Sequence, residues 1–285
     1  MRFYRVFCVL ILISFPPHAC DSQDHTCHWF GGDRPRTNSR ISDIKSPAGY
    51  QRCTYDSLSF QAWLRSLPLK APDSAVMLYD GTRKPNQSAH ERVIGIDVGQ
   101  RDLQQCADAV MRLAAEFLYQ AGRRDDIAFN FTSGDRAAWS RWLRGWRPVV
   151  SGNQVHWKKS AQIDSSYRNF RKYLNTVFSY AGSYSLSREL IRVPDADSLR
   201  LGDVFIQGGF PGHAVMVVDA AIHEQNGEKV FLLAQSYMPA QDIHILKNPG
   251  DARLSPWYKI HTENPLVTPE WTFGWNDLMR FAWMK

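Results

Sequence analysis

The sequence predicts an α+β fold for most of the chain, on three observations. A helical run carries Cys106 in its first turn; a second long amphipathic run, Tyr167–Tyr180, follows; and three β-rich runs, Asp203–Gln207, His213–Ala221 and Lys229–Ser236, then come in succession. Helical and strand signals that are segregated rather than alternating describe a helix layer against an antiparallel meander. With 285 residues, 44% hydrophobic and 13% aromatic, the chain can bury a sizeable core and reads as a single domain over residues 50–285.

Residues 1–19 are set apart. Arg2 and Arg5 precede an apolar run from Val6 to Phe15, closed by Pro16, Pro17, His18 and Ala19. That is the charged, apolar, small-residue order of an export signal, and the run is too short to cross a bilayer as a helix. Two processing routes are open: cleavage after Ala19, or lipidation of Cys20, which would attach the protein to a membrane. The expected location is periplasmic, outer-membrane lipoprotein, or secreted. Residues 20–49 are polar and rich in Gly, Pro, Asp and Ser, as in a linker or arm. Of the five cysteines, Cys8 leaves with the signal. Cys27 and Cys53 can pair in an oxidising compartment, and Cys106 has no obvious partner.

The elements follow in order. Phe60–Leu67 reads as a short helix stopped by Pro68, and Ala75–Tyr79 and Val93–Val98 as strands. Asp102 is placed to open the helix of Cys106, with Gln105 completing a pattern like a capping box. Leu103, Cys106, Ala107, Val110, Leu113, Ala114, Phe117 and Leu118 then recur at helical steps until Gly122. Ile127–Phe131 reads as a strand, Trp139–Trp146 as a helical turn or two, and Pro148–Val150 with Gln154–Lys158 as a hairpin around Gly152-Asn153. Residues 132–190 together make a mainly helical insertion. The tail after Pro239 reads as aromatic, irregular coat with a short helix near Asn276–Phe281.

The net charge of +6 is mild and scattered, and with an export signal it argues against nucleic acid as a partner. The Trp139, Trp142, Trp146 spacing, with Arg141, Arg144 and Arg147, is read as helix packing before an anion-polymer site. No C-x-x-C or H-x-x-x-H pair is present, so no metal or other cofactor is expected.

The chemistry rests on a thiol and an imidazole. A thiol attacks carbonyls as thiolate, which a helix N-terminus and a neighbouring histidine both favour. Cys106 lies in the first helical turn. His213 is the best partner, because Gly208-Gly209-Phe210-Pro211-Gly212 makes a sharp entry into its strand and leaves room beside the ring. His90 is a distant second. Asp219 is six residues along the same strand, roughly 20 Å away, and cannot orient that ring. The third residue must come from the next strand. A tight turn at Asn226-Gly227 places Ala240 opposite His213; a wider loop from Ile222 to Glu228 places Tyr237 there and Gln235 one diagonal step away. Pro239 argues for the wider loop. Gln235 is therefore preferred, with Gln241 and Asp242 behind it. For an oxyanion, the backbone N–H of Cys106 is the natural donor, with Gln100 and Gln105 as side-chain candidates and Gln104 as an equal substitute.

The segment Leu201-Gly202-Asp203-Val204-Phe205, followed by Gly212-His213-Ala214-Val215-Met216-Val217-Val218, resembles the signature of the CHAP and NlpC-type cell-wall hydrolases. In that superfamily a cysteine opens a helix upstream, as in Gln104-Gln105-Cys106-Ala107-Asp108. The chain also resembles an uncharacterised family of exported bacterial proteins through Asp97–Cys106, Gly202–His213 and Leu232–Asp242. The resemblance implies a papain-like fold, and Gln100, six residues before Cys106, matches the spacing of the oxyanion glutamine in papain-like proteases. The Asp-Cys-Ser-Gly stretch of NlpC-type enzymes is absent, and the Cys106–His213 separation is long. Export and kinship together lead to an expected cysteine hydrolase, an amidase or peptidase acting on cell-wall peptides. The alternative is a catalytically silent binding or scaffold module, with Trp257, Tyr258, Trp271, Phe273 and Trp275 as a platform for glycan or a partner.

Overall fold

The computed structural model describes residues 28–30 and 39–284. The expected signal, Cys20 and Cys27 lie outside the described residues, and with them the Cys27–Cys53 pairing. Among the described residues no helix is long and apolar enough to cross a membrane.

A nine-stranded antiparallel sheet carries the fold. Its neighbours in order are His90–Val93, His244–Leu246, Lys229–Gln235, His213–His223, Val204–Gln207, Leu278–Arg280 and Ile191–Arg192, with Tyr50–Arg52 and Tyr258–Lys259 pairing alongside. The central His213–His223 strand, hereafter the His strand, is buried from His213 to Ala221. Its continuous Val, Met and Ala content suits a strand covered on both faces. One cover is the helix Cys106–Gln120, hereafter the Cys helix. Another is the chain's tail, whose Phe273 and Trp275 pack on Phe205 and Phe231.

The Cys helix begins later than the spacing predicts. Cys106 is its first residue and Gln105 its cap; the Gln105 N–H donates to Asp108 Oδ2 at 3.1 Å. Asp102 instead accepts from the Ala240 N–H at 2.7 Å and the Gln105 amide at 3.0 Å, so a long-range bond takes the residue that local pattern assigned to the cap. The helix ends as expected. Gly122 sits at φ +72, where a left-handed residue lets the Arg123 N–H close back onto Leu118 O at 2.9 Å.

Three further readings are corrected. The arm does not run to residue 49: Ile41 and Ile44 are buried, and the Ile41 N–H donates to Leu67 O, because this stretch lies along the end of the Phe60–Arg65 helix. The insertion carries helices Trp139–Leu143, Tyr167–Tyr180 and Ser183–Glu189, together with the expected hairpin of Trp146–Ser151 and Gln154–Lys159 and the strand Arg136–Ala138, which pairs back on Ala128–Asn130. The tail is not irregular throughout. Residues 276–281, read as a helix, form a 3-10 turn and then the strand Leu278–Arg280, whose period-two pairing with Val204–Gln207 outcompetes a single helical turn. Ala75–Tyr79 forms only isolated bridges, Met77 with Arg83 and Leu78 with Gln241.

The Gly202-Asp203 pair of the sequence signature is structural. Gly202 has φ +88, and a Cβ there would fall 2.6 Å from Met284 and 2.8 Å from Phe60. Asp203 is fully buried and accepts two bonds from Arg280, at 2.6 and 2.7 Å. Together they anchor the tail strand to the sheet next to the His strand.

Candidate active site

The Cys helix delivers its first residue onto the His strand. The Cys106 sulfur faces the backbone N–H of Ala214, the residue after His213, and those of Ala107 and Cys106 itself. These donors favour a thiolate. Burial outweighs them, with the Asp108 carboxyl adding to it, and together they push the thiol up to about 11. Asp108 is itself raised well above the usual carboxylate range by burial, and its Oδ1 has no partner.

His213 is 1% exposed, at the first position of its strand and in register with Gln207. Its Nε2 lies 2.8 Å from Gln235 Oε1. The register explains this contact. Ala234 pairs with Met216 after a shift between Leu232 and Leu233, so Gln235 stands across from Val215, diagonal to His213 and on its face. The loop is one residue shorter than the wider alternative, since Ile222 pairs with Lys229, and the register shift makes up that residue before Gln235. Neither Gln241 nor Asp242 is bonded to His213: the Gln241 Oε1 is buried without a partner, and Asp242 Oδ2 accepts from Lys70 Nζ at 2.8 Å and the Met77 N–H at 3.0 Å.

Two neighbours fix which way the Gln235 amide points. Its Nε2 donates to Glu270 Oε2 at 2.6 Å and lies 3.4 Å from His244 Nε2. His244 Nδ1 lies 2.9 Å from the Asp242 carbonyl, which only accepts, so Nδ1 carries the proton and Nε2 offers a lone pair. Turning the amide over would set its oxygen against a carboxylate and a lone pair. Oε1 therefore faces His213, the His213 proton sits on Nε2, and Nδ1 is left as the base. Glu270 is held in turn by Lys84 Nζ at 2.6 Å. Burial lowers Lys84 against the pull of Glu270. Burial also draws His213 down to about 4, against the Gln235 bond and Glu270, and His244 down to about 3. The resting pair is a neutral thiol and a neutral imidazole.

Three aromatic rings close around His213: Tyr237 at 4.9 Å between centroids, Trp271 at 5.3 Å and Phe273 at 5.9 Å. The Trp271 Nε1 donates to Gln207 Oε1 at 3.0 Å, across from His213 in register. The sequence reads Trp271 and Phe273 as coat or as a platform for glycan or a partner, and gives no sign of Glu270, Lys84 and His244 as supports. A buried Lys84 beside an aromatic tail gives no local signal, since its partner is 186 positions away.

The side-chain oxyanion candidates are not brought to the thiol by any bond. Gln105 Nε2 donates to Asp102, and Gln100 is exposed on a neighbouring cavity. Gln104 is buried with its Oε1 bound to Arg112. The backbone N–H of Cys106, at a helix start, is the donor in place. His90 contacts Ser74 O through Nε2. Among the described residues no three His, Cys, Asp or Glu side chains converge as a metal-ligand set.

Fold and site define a mixed α/β protein in which a cysteine-headed helix abuts a histidine strand of a large antiparallel sheet. The chain belongs to the family described as domain of unknown function 4846, whose model matches residues 41–280. Comparison with curated proteins and with solved structures finds no match.

Proposed function

We propose that this protein is a papain-like cysteine hydrolase, an exported amidase or peptidase of the CHAP and NlpC kind acting on cell-wall peptides. The observation that carries the reading is that the thiol at the first position of the Cys helix meets the backbone N–H of Ala214, next to His213 at the head of the central strand, whose Nε2 is held 2.8 Å from Gln235 Oε1. In this mechanism the Cys106 sulfur attacks the amide carbonyl carbon while His213 Nδ1 takes the thiol proton. The Cys106 N–H donates to the resulting oxyanion. The imidazolium then protonates the leaving amine, and a thioester remains. Water, deprotonated by His213, releases the acid and restores the thiol. Because the resting pair is neutral, proton transfer accompanies attack rather than preceding it. Export through residues 1–19, and attachment through a lipidated Cys20, belong to the same proposal.

A second reading, a silent binding module on the same scaffold, is favoured by one observation: burial pushes the thiol up to about 11 and the imidazole down to about 4. Labelling with iodoacetamide separates the two. For the hydrolase, Cys106 in the reduced folded protein labels faster than Cys53, and His213→Ala slows it at least about tenfold. Equal, slow labelling of both thiols, indifferent to His213→Ala, rejects the hydrolase. Retention of purified cell-wall polymer by both the intact and the Cys106→Ala protein, without turnover by the intact one, selects the binding module.

A further inference from the structure

We propose that the basic face formed by the hairpin Trp146–Ser151 with Gln154–Lys159 and the start of the Tyr167–Tyr180 helix seats the protein on a membrane surface of anionic lipid; this is independent of any chemistry at Cys106. The net charge is not spread evenly. Nine of the 34 Lys and Arg but one of the 28 Asp and Glu lie between Arg136 and Lys172, and elsewhere acids outnumber bases. Of these cations, Arg171 is spent on Asp97. Arg144, Lys158, Arg168 and Lys172 are exposed and form no ion pair among the described residues.

The fold gathers them on one side. In the hairpin, Arg147 pairs with Lys158 and Val149 with His156, so these four share one face of the ribbon. Lys158, Val149 and His156 are exposed, while the opposite face, with Pro148, Trp157, Val150 and Val155, is half-buried and stacks Trp157 on Phe131. The Arg147 guanidinium donates to Asn169 Oδ1 at 3.2 Å, in the first turn of the helix. Arg168 and Lys172 stand there four residues apart on one exposed edge. The Asp164 N–H donates to Leu143 O at 3.0 Å, which lays Ile163, 72% exposed, beside Arg144. Asp164, the single acid, faces Lys172 and Arg147 and offsets one charge.

Two observations choose a lipid surface over an anionic polymer. The indoles of this region are not open platforms for sugar rings: Arg147 lies over Trp142 at 3.9 Å, and Arg141 over Trp157 at 4.5 Å and Trp146 at 5.2 Å. What the face offers instead is cations around the bare aliphatic side chains of Ile163 and Val149, which suits charged headgroups with an apolar layer beneath them. The second observation is where the N-terminal segment arrives. His28 stacks on Tyr167 at 5.5 Å, next in sequence to Arg168. The apolar run from Val6 to Phe15 and Cys20 both precede it, and the eight residues from Cys20 to His28 span at most about 29 Å. A chain held to a membrane through either would present this face to it.

The test titrates the full chain with vesicles of phosphatidylcholine alone and with about 30 mol% phosphatidylglycerol. The anionic vesicles are expected to bind at least about tenfold tighter, and raised salt should weaken them. The combined variant Arg144→Gln, Lys158→Gln, Arg168→Gln and Lys172→Gln should lose that advantage. Removing as many exposed cations elsewhere, with Lys45→Gln, Arg101→Gln, Lys247→Gln and Arg253→Gln, should keep it. The N-terminal run is the same in all three proteins, so its own affinity for lipid cancels. No preference for anionic vesicles, a preference that survives the first set of substitutions, or an equal loss with both sets each overturns the seat. Retention of soluble dextran sulfate that depends on the first set, with no preference among vesicles, assigns the face to an anionic polymer and overturns it as well. Labelling of Cys106 enters none of these outcomes, so the hydrolase reading stands or falls apart from them.

Discussion

Two buried polar networks meet near Cys106, and they are built to opposite ends. On the helix side, Arg112 spends its guanidinium on Glu116 at 2.6 Å, Asp97 at 2.9 Å and Gln104 at 2.9 Å, while the Tyr167 hydroxyl donates to Glu116 at 2.7 Å. Ion pairs of opposite sign saturate one another and tie the Cys helix to the Tyr167–Tyr180 helix. On the sheet side, Lys84, Glu270, Gln235 and His213 form a chain that ends at an imidazole with Nδ1 unspent. The first network is spent largely on ion pairs, with the Gln104 Nε2 left over, and serves architecture. The second is directional, passing orientation from a buried ion pair through an amide to a ring that can still take a proton.

The largest expected effect tests the saturated side. Arg112→Met leaves the buried Glu116 without its cation and Asp97 with Arg171 alone, and about 3–5 kcal/mol of stability should be lost in denaturant unfolding. A loss below about 1 kcal/mol would show that the network is not what joins the two helices.

Next comes the acid response of the open side. His213 has its pKa lowered from 6.5 to about 4. The unfolded chain binds the proton first, so stability is full above the unfolded value and falls as pH drops through the window from about 6.5 to 4. The loss from this group amounts to roughly 3 kcal/mol. His244, lowered to about 3, extends the window downward. Unfolding free energies measured across this range should slope, and His213→Phe should flatten the upper part. An unchanged slope in that variant would mean that His213 titrates normally.

The smallest effect lies at the thiol. Asp108 is the second cause, after burial, of its raised pKa. Asp108→Asn keeps an acceptor for the Gln105 N–H and removes the charge. Alkylation of Cys106 below its pKa should then quicken by about tenfold for each unit the pKa falls. A rate unchanged between pH 7 and 9 would indicate that Asp108 is already protonated there.

Much of the site was legible along the chain. Cys106 stood at a helix start, and His213 followed a glycine-rich entry into the most β-rich run. Counting across a loop from Ile222 to Glu228 leads to Gln235, but Ile222 pairs with Lys229, and a bulge that the sequence does not announce restores the count. The helix start is displaced because Asp102, with Gln105 three residues on, imitates a capping box, while Ala240, distant in sequence, claims Asp102 and Gln105 becomes the cap. Glu270 goes unsignalled, and Trp271 and Phe273 read as coat or platform rather than as walls around His213, for a related reason. Nothing in a run of aromatics tells whether it covers the outside of a sheet or folds back over one histidine.

Local pattern alone determined the residue types and the elements that carry them: a thiol at a helix tip, an imidazole at the first position of a buried strand, and the pairing of neighbouring strands. Those depend on periodicity, capping and turn chemistry, which act over a few residues. Tertiary structure alone decided which way the Gln235 amide points, which nitrogen of His213 is left as base, and that burial holds thiol and imidazole neutral. These depend on which groups share a low-dielectric interior, and partners such as Lys84 and Glu270 reach it only when distant segments of the chain close over the same strand.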